Sequence, residues 1–343
     1  FEKIVALPDI EQFPLLYAKM LINSASWEWL QGKFTEANSH LSKARSLCME
    51  LGAEGEPELA WALTWLGIVA RMETIDLAKA TSFAEEAVQL HQKWGDQTGE
   101  AFSTMTLGMI QKDLRLPIAE QTLEHSLELY TQLQDPWGIA RVAQNLGLLH
   151  LQNEDFEKAQ KYLEQHLFLD KELDFKMGIG AALAGLADMS RVRGDYAQAE
   201  QYYQQGIQIA HEYGTDPSYS IGGLAMTALG QKDYELARKR FTELFQRTRE
   251  ETEKVSVCDF LMGLAAVSAG LDQPERAAKL YGAVQTILDT VDYRYPGNDR
   301  SEFERHIQLA REQLKERFEM YVEEGRSMTM EQAVEYALEE TDG

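Results

Sequence analysis

The chain has 343 residues, 44% of them hydrophobic and 26% charged, with 56 acidic against 33 basic side chains and a formal charge of −23. A field of that sign repels phosphate backbones and anionic headgroups, which argues against nucleic acid and membrane surfaces as partners of the chain as a whole. No apolar run approaches the roughly 18 to 20 residues of a membrane span, and the two cysteines, Cys48 and Cys258, read as small core residues of a reducing, cytoplasmic compartment.

Only eight prolines occur and alternating β-branched runs are absent. Apolar residues instead fall at i, i+3, i+4 and i+7, as in Ala37 to Leu47 and Ala159 to Leu169. That spacing predicts an all-α chain of helices of about 12 to 18 residues. The segment GKFTEA, Gly32 to Ala37, returns as EDFEKA at Glu154 to Ala159, GDYAQA at Gly194 to Ala199 and KDYELA at Lys232 to Ala237. Its closing alanine recurs at Ala37, Ala80, Ala119, Ala159, Ala199, Ala237 and Ala277, at intervals of 38 to 43 residues. Three residues earlier stand Phe34, Leu77, Leu116, Phe156, Tyr196 and Tyr234, with Pro274 as the exception. Four residues later come Leu41, Ala84, Leu123, Leu163, Tyr203, Phe241 and Tyr281. About twelve residues before each alanine lies another small residue: Ala25, Gly67, Gly108, Gly147, Ala187, Ala225 or Ala265.

Paired helices account for this pattern. A small residue in the first helix lets the second approach, the marker alanine does the same from the other side, and bulky neighbours fill the space between pairs. The repeated segment is then the turn, with Gly32 or Gly194 supplying a left-handed backbone and Asp155, Asp195 and Asp233 capping the second helix.

On these residues the chain resembles the tetratricopeptide repeat family over roughly residues 10–291. The family's unit is about 34 residues; the longer unit here is similar to the variant of about 40 residues found in bacterial sensor arrays and some motor-protein adaptors. The resemblance implies a right-handed superhelical solenoid of about seven helix pairs over 1–291, with the first helix of each pair lining a concave wall.

Beyond Val291 the period lapses and a helical cap is expected over 292–343: a Pro-Gly loop, a charged helix opened by a capping box of Ser301 and Glu304, a break at Gly325, and a last helix capped by Thr329 and Gln332. The stretch Gly263 to Ile287, the Arg300 to Arg305 hexapeptide and the ending Glu323 to Leu338 resemble the carboxyl end of STAND-type signalling ATPases and LuxR-like or AfsR-like regulators. That resemblance implies a sensor arm of a larger protein whose nucleotide-hydrolysing switch lies upstream of Phe1, and the opening on Phe1 fits a piece of such a protein.

Reactive constellations are scarce. There is no phosphate-loop motif, the seven histidines never pair at i+3 or i+4, and no Cys-x-x-Cys occurs, so neither a metal nor another cofactor is expected. Gly178 to Gly185, GIGAALAG, has glycine spacing without a preceding strand and reads as close helix contact. His166 reads as a hydrogen-bonded interior histidine, and no pair of carboxylates is expected in an apolar pocket. An enzyme using the groove as a cleft is therefore the weakest reading; a stand-alone interaction scaffold is the alternative to the sensor arm.

Binding residues follow from the first-helix register. Positions six and three before each small residue, and one and four after it, face inward. They include Trp61 and Arg71; Phe102, Met105, Met109 and Lys112; Arg141 and Gln144; Asp188 and Arg191; Tyr219 and Met226. Aromatic and methionine side chains suit an adaptable apolar surface. Arg71, Lys112, Arg141 and Arg191 stand against Asp188 alone, which predicts a basic lining for a protein, a peptide or a small anionic inducer, or for another domain of the same protein. No asparagine directly follows Gly67, Gly108 or Gly147, so the family's terminal-carboxylate clamp is not expected. Asn145 reads as structural.

Overall fold

The computed structural model describes residues 10–73, 76–248, 254–290 and 297–339. Among the described residues there are α-helices and short 3-10 turns and no strand. Two compact units divide the chain, Phe1–Leu149 and His150–Gly343. The boundary expected at 291/292 and the proline of the expected Pro-Gly loop lie outside the described residues.

The first unit contains α1 (Pro14–Leu30), α2 (Phe34–Glu50), α3 (Glu56–Glu73), α4 (Leu77–Trp94), α5 (Gln97–Asp113), α6 (Ala119–Gln132) and most of α7 (Pro136–Gln152). Each even helix lies against the odd helix before it, and α3 also touches α1 and α5, so α1, α3 and α5 form one layer. The marker alanines Ala37, Ala80 and Ala119 are wholly buried. A methyl group on Gly67 would sit 3.4 Å from the Ala80 carbonyl oxygen and 3.7 Å from Ala84 Cβ, while one on Gly108 would come within 2.7 Å of the Leu123 side chain. This is the contact the small-residue register predicts. One unit departs from the phrase: α6 begins at Ala119, not at Leu116, and Leu116 is exposed. Pro117 explains the delay, because the residue before a proline is driven out of the helical region.

The second unit begins in the last turn of α7 and contains α8 (Phe156–Glu172), α9 (Lys176–Arg193), α10 (Tyr196–Tyr213), α11 (Ser218–Gly230), α12 (Tyr234–Thr248), α13 (Lys254–Gly270) and α14 (Pro274–Leu288), followed by α15 (Gly297–Leu314), α16 (Phe318–Arg326) and α17 (Met330–Leu338). Asp155 and Asp195 accept from the Lys158 and Gln198 amides, and Asp233 from Leu236, as N-caps. Gly194 turns at φ 89° with its N–H on the Arg191 carbonyl. Glu154, Lys232 and Asp272 occupy the same turn position at φ 58°, 63° and 61°. For a side-chain-bearing residue that conformation costs about 1 kcal/mol, so tertiary contact rather than local preference fixes these turns. His166 is fully buried with Nε2 2.8 Å from Asp170 Oδ2, the interior histidine expected.

The tail departs from its reading at two points. Helix α15 starts at Gly297, which places Ser301 inside it, and the Glu304 carboxylate takes Arg300 Nε at 2.6 Å instead of reaching back to a cap. Gly325 lies in the last turn of α16, and the expected break falls just after it. A methyl group there would lie 1.9 Å from the Lys279 carbonyl oxygen, and one on Gly282 would lie 2.0 Å from that of Val322. The two glycines let α14 and α16 touch backbone to backbone, and the chain turns only at Ser327 to Thr329. The Thr329 and Gln332 capping box forms as read.

A candidate ligand-binding site on the first-helix face

Four of the sequence-predicted positions, Asp188, Arg191, Tyr219 and Met226, line one cavity of about 310 Å³ in the second unit. Helices α9 and α11 supply them because both are first helices of their pairs and lie side by side. The floor is apolar: Phe241 and Phe245 come from α12, Phe260 from α13 and Phe303 from α15. Phe245 and Phe260 stack at 4.2 Å between centroids with 11° between planes.

The polar side of the cavity is a linked set of groups. Asp188 accepts two phenol hydrogens, from Tyr203 at 2.5 Å and Tyr219 at 2.6 Å. Arg191, 7% exposed, donates from Nη2 to Asp299 Oδ1 at 2.5 Å and keeps Asp188 Oδ1 at 3.7 Å. Burial alone would lower the guanidinium's pKa, but Asp299, Tyr203 and Asp188 hold it above its ordinary value, so it stays charged. Burial raises the Asp299 carboxyl above the usual carboxylate range against the pull of Arg191, and Asp188 adds to the rise. Burial and then Asp188 raise the Tyr203 phenol well above its usual range, which keeps it a donor.

This arrangement corrects two expectations. Carboxylates do meet in an apolar pocket: Asp188, Asp259 and Asp299 all line this one. The lining is also not basic, since Arg191 is outnumbered. Asp299 and the phenylalanines carry no signal in the sequence, because they come from helices whose convergence has no local signature.

In the first unit the expected residues form two separate groups. Trp61 lies 6.2 Å from Phe102 between ring centroids and 5.1 Å from His91, while Trp65 bridges Phe102 at 5.6 Å and Trp29 at 5.9 Å. An aromatic row thus runs over α1, α3 and α5. Arg71, at the end of α3, pairs with Asp113, which also takes Lys112 Nζ at 3.1 Å. Burial would raise the Asp113 carboxyl, yet Lys112 and Arg71 together pull it below the usual carboxylate range. The basic strip is compensated here too, by an acid one residue beyond the inward register. Met105 is buried, Met109 and Gln144 are partly buried, and the Arg141 guanidinium lies 6.0 Å from the Trp137 ring centroid. Asn145 donates to the Arg141 carbonyl at 2.9 Å, the structural role read for it.

Among the described residues no group of three His, Cys, Asp or Glu side chains could hold a metal ion, and no helix is long and apolar enough to cross a membrane.

Comparison with known proteins agrees with the geometry. Residues 140–171 match the tetratricopeptide repeat model. Tetratricopeptide repeat protein 29 of Macaca fascicularis is 22% identical over 247 residues, which are 66% of this chain and 50% of that protein. The chain therefore spans about half the length of the curated relative it matches. Among solved structures, a Rap protein complexed with competence and sporulation factor superposes with TM-score 0.64 at 20% identity, covering 81% of this chain and 75% of that one. The Rap conjugation gene regulator of plasmid pLS20, in complex with the Phr* peptide, gives TM-score 0.60 at 16% identity, covering 86% and 82%. The chain carries a repeat array of the tetratricopeptide type, and its fold is that of these all-helical solenoids.

Proposed function

We propose that this chain is a regulatory arm that binds a peptide or a segment of a partner protein on the face built by its first helices, with the cavity between α9 and α15 as the specificity pocket. The observation that carries this reading is the meeting of Asp188, Arg191, Tyr219 and Met226 around one cavity with an aromatic floor. The fold's likeness to two Rap proteins, each solved with a peptide or factor bound, supports peptide recognition on such a scaffold. In this reading residues 1–291 are the array, 292–343 the cap, and the whole is the sensor arm of a cytoplasmic STAND-type ATPase or related regulator. A small anionic inducer is not carried forward, because carboxylates outnumber the one guanidinium in the pocket.

Selection of a displayed random peptide library against the parent and against Met226→Trp tests the pocket. Peptides enriched on the parent are expected to lose binding to the variant while its helical circular dichroism is unchanged. Equal binding to both proteins removes the cavity from the reading. The sequence upstream of Phe1 tests the larger context: a reading frame without a nucleotide-binding module removes the ATPase arm and leaves the interaction scaffold.

A further inference from the structure

We infer that the cavity of the second unit recognises a basic peptide segment that places one large apolar side chain on the phenylalanine floor, a backbone carbonyl toward Arg191 and a lysine or arginine at the acidic rim. This rests on the peptide-binding reading above and names the chemistry of that same site.

Three observations converge on this chemistry. A volume of about 310 Å³ lies at the small end of the roughly 300 to 1,000 Å³ range of ligand pockets, room for one large side chain and the backbone beside it. Met226, Phe241, Phe245, Phe260 and Phe303 make that room apolar, and the phenylalanine faces also attract a neighbouring cation.

Next, carboxylates outnumber guanidinium groups among the described lining residues, with Asp188, Asp259 and Asp299 against Arg191. The chain's formal charge of −23 has the same sign, so approach of an anion is opposed at long and at short range. A carboxylate ligand would have to displace Asp299 from Arg191 and then stand beside Asp188, whose two oxygens are already held by Tyr203 and Tyr219. A cation at the rim meets no such opposition.

The third observation is a buried donor. Arg191, more than nine-tenths buried, uses Nη2 for its carboxylates, while its Nε is enclosed without an acceptor. A buried donor left unpaired is costly, so an incoming acceptor is favoured. In a pocket with excess negative charge a neutral carbonyl serves better than another carboxylate. Peptide backbone supplies such a carbonyl directly beside the apolar side chain.

The test uses three fluorescein-labelled probes, acetylated and amidated, read by anisotropy with the full chain: Lys-Phe-Lys, Glu-Phe-Glu and Lys-Ala-Lys. Lys-Phe-Lys is expected to bind, with affinity reduced about tenfold or more by loss of the phenyl group and at least as much by charge reversal. Asp259→Lys, in the cavity lining, is expected to weaken Lys-Phe-Lys and improve Glu-Phe-Glu, and Met226→Trp to weaken every probe. Should Met226→Trp fail to fold by circular dichroism, the Asp259→Lys exchange of preference decides alone. Glu-Phe-Glu binding the parent as well as Lys-Phe-Lys, with loss in Met226→Trp, overturns the basic-peptide assignment and leaves the peptide pocket standing. Failure of all three probes, together with failure of the library selection, overturns both.

Discussion

The Oδ1 atom of Asp299 on α15 lies 2.5 Å from Nη2 of Arg191 on α9, although 108 residues separate them in the chain. The contact ties α15 to α9, and both residues line the cavity. Removing one member of a fully buried pair costs roughly 3 to 5 kcal/mol, because the other charge is left without compensation. Asp299 is 28% exposed and Asp188 stays near the guanidinium, so Asp299→Asn is expected to lower stability by about 1 to 2 kcal/mol. Urea denaturation measures it, and a double-mutant cycle with Arg191→Met isolates the pair. A variant as stable as the parent would show that the tie contributes nothing.

His91 sets an acid-sensitive step in the first unit. It is 1% exposed, sits 3.0 Å from Asp96 through Nδ1, and contacts Thr64 and the edge of Trp61. Burial lowers its pKa below the ordinary value against the pull of Asp96 and Glu100. The folded state therefore binds this proton less readily than the unfolded state does. Its stabilisation is full above about pH 6.5 and declines as pH falls below that value. Asp113, held below the usual carboxylate range, contributes stability that is lost only at a lower pH, below about 4. His91→Gln is expected to flatten the stability profile between these values and leave the lower step in place. Denaturant midpoints across the pH range check both, and an unchanged slope in His91→Gln would move the sensitivity to another group.

What was legible in the sequence is what the repeat restates. All seven marker alanines are fully buried, because each unit poses the same steric problem at the same place. A second register of the same kind is less legible. Gly185, Gly223 and Gly263 each face the bulky residue of the preceding pair, Leu163, Tyr203 and Phe241, where a methyl group would come within 2.7, 2.2 and 2.7 Å. Their spacing follows the repeat, but the first unit has Trp65 and Thr106 at the matching positions, so the signal exists in half of the array. Asp113 and Asp299 were illegible for different reasons. The first lies one residue beyond the inward register, and the second belongs to a helix outside the period whose docking depends on tertiary contact.

A glycine outside that register and one within it give opposite outcomes. Gly180, inside α9, has nothing within 4 Å of the place a methyl group would take, so Gly180→Ala is expected to stabilise by about 0.5 to 1 kcal/mol through backbone entropy and helix propensity. Gly223→Ala meets the Tyr203 ring at 2.2 Å, and Tyr203 is fully buried with its hydroxyl fixed on Asp188. A loss of about 1 to 3 kcal/mol is expected. Thermal and urea unfolding report the sign directly; a stabilised Gly223→Ala would mean the ring has room to move.

The last helix should open without the rest. Helix α17 has nine residues, too few to hold by propensity, and rests on three supports. Thr329 accepts from Gln332 N while the Gln332 side chain accepts from Thr329 N; Ala333 and Ala337 are buried; and Arg276 donates from Nη2 to the carbonyls of Ala337 at 2.9 Å and Glu339 at 3.0 Å. Thr329→Ala removes the cap, worth about 1 kcal/mol, and Arg276→Met removes the tie at the other end. The double variant is expected to raise amide exchange across Met330–Leu338 while leaving α13 and α14 protected, since local opening needs less free energy than global unfolding. Hydrogen exchange read by mass spectrometry separates the cases. If exchange rises equally over α13 and α14, the terminal helix is part of the cooperative core and not a separable element.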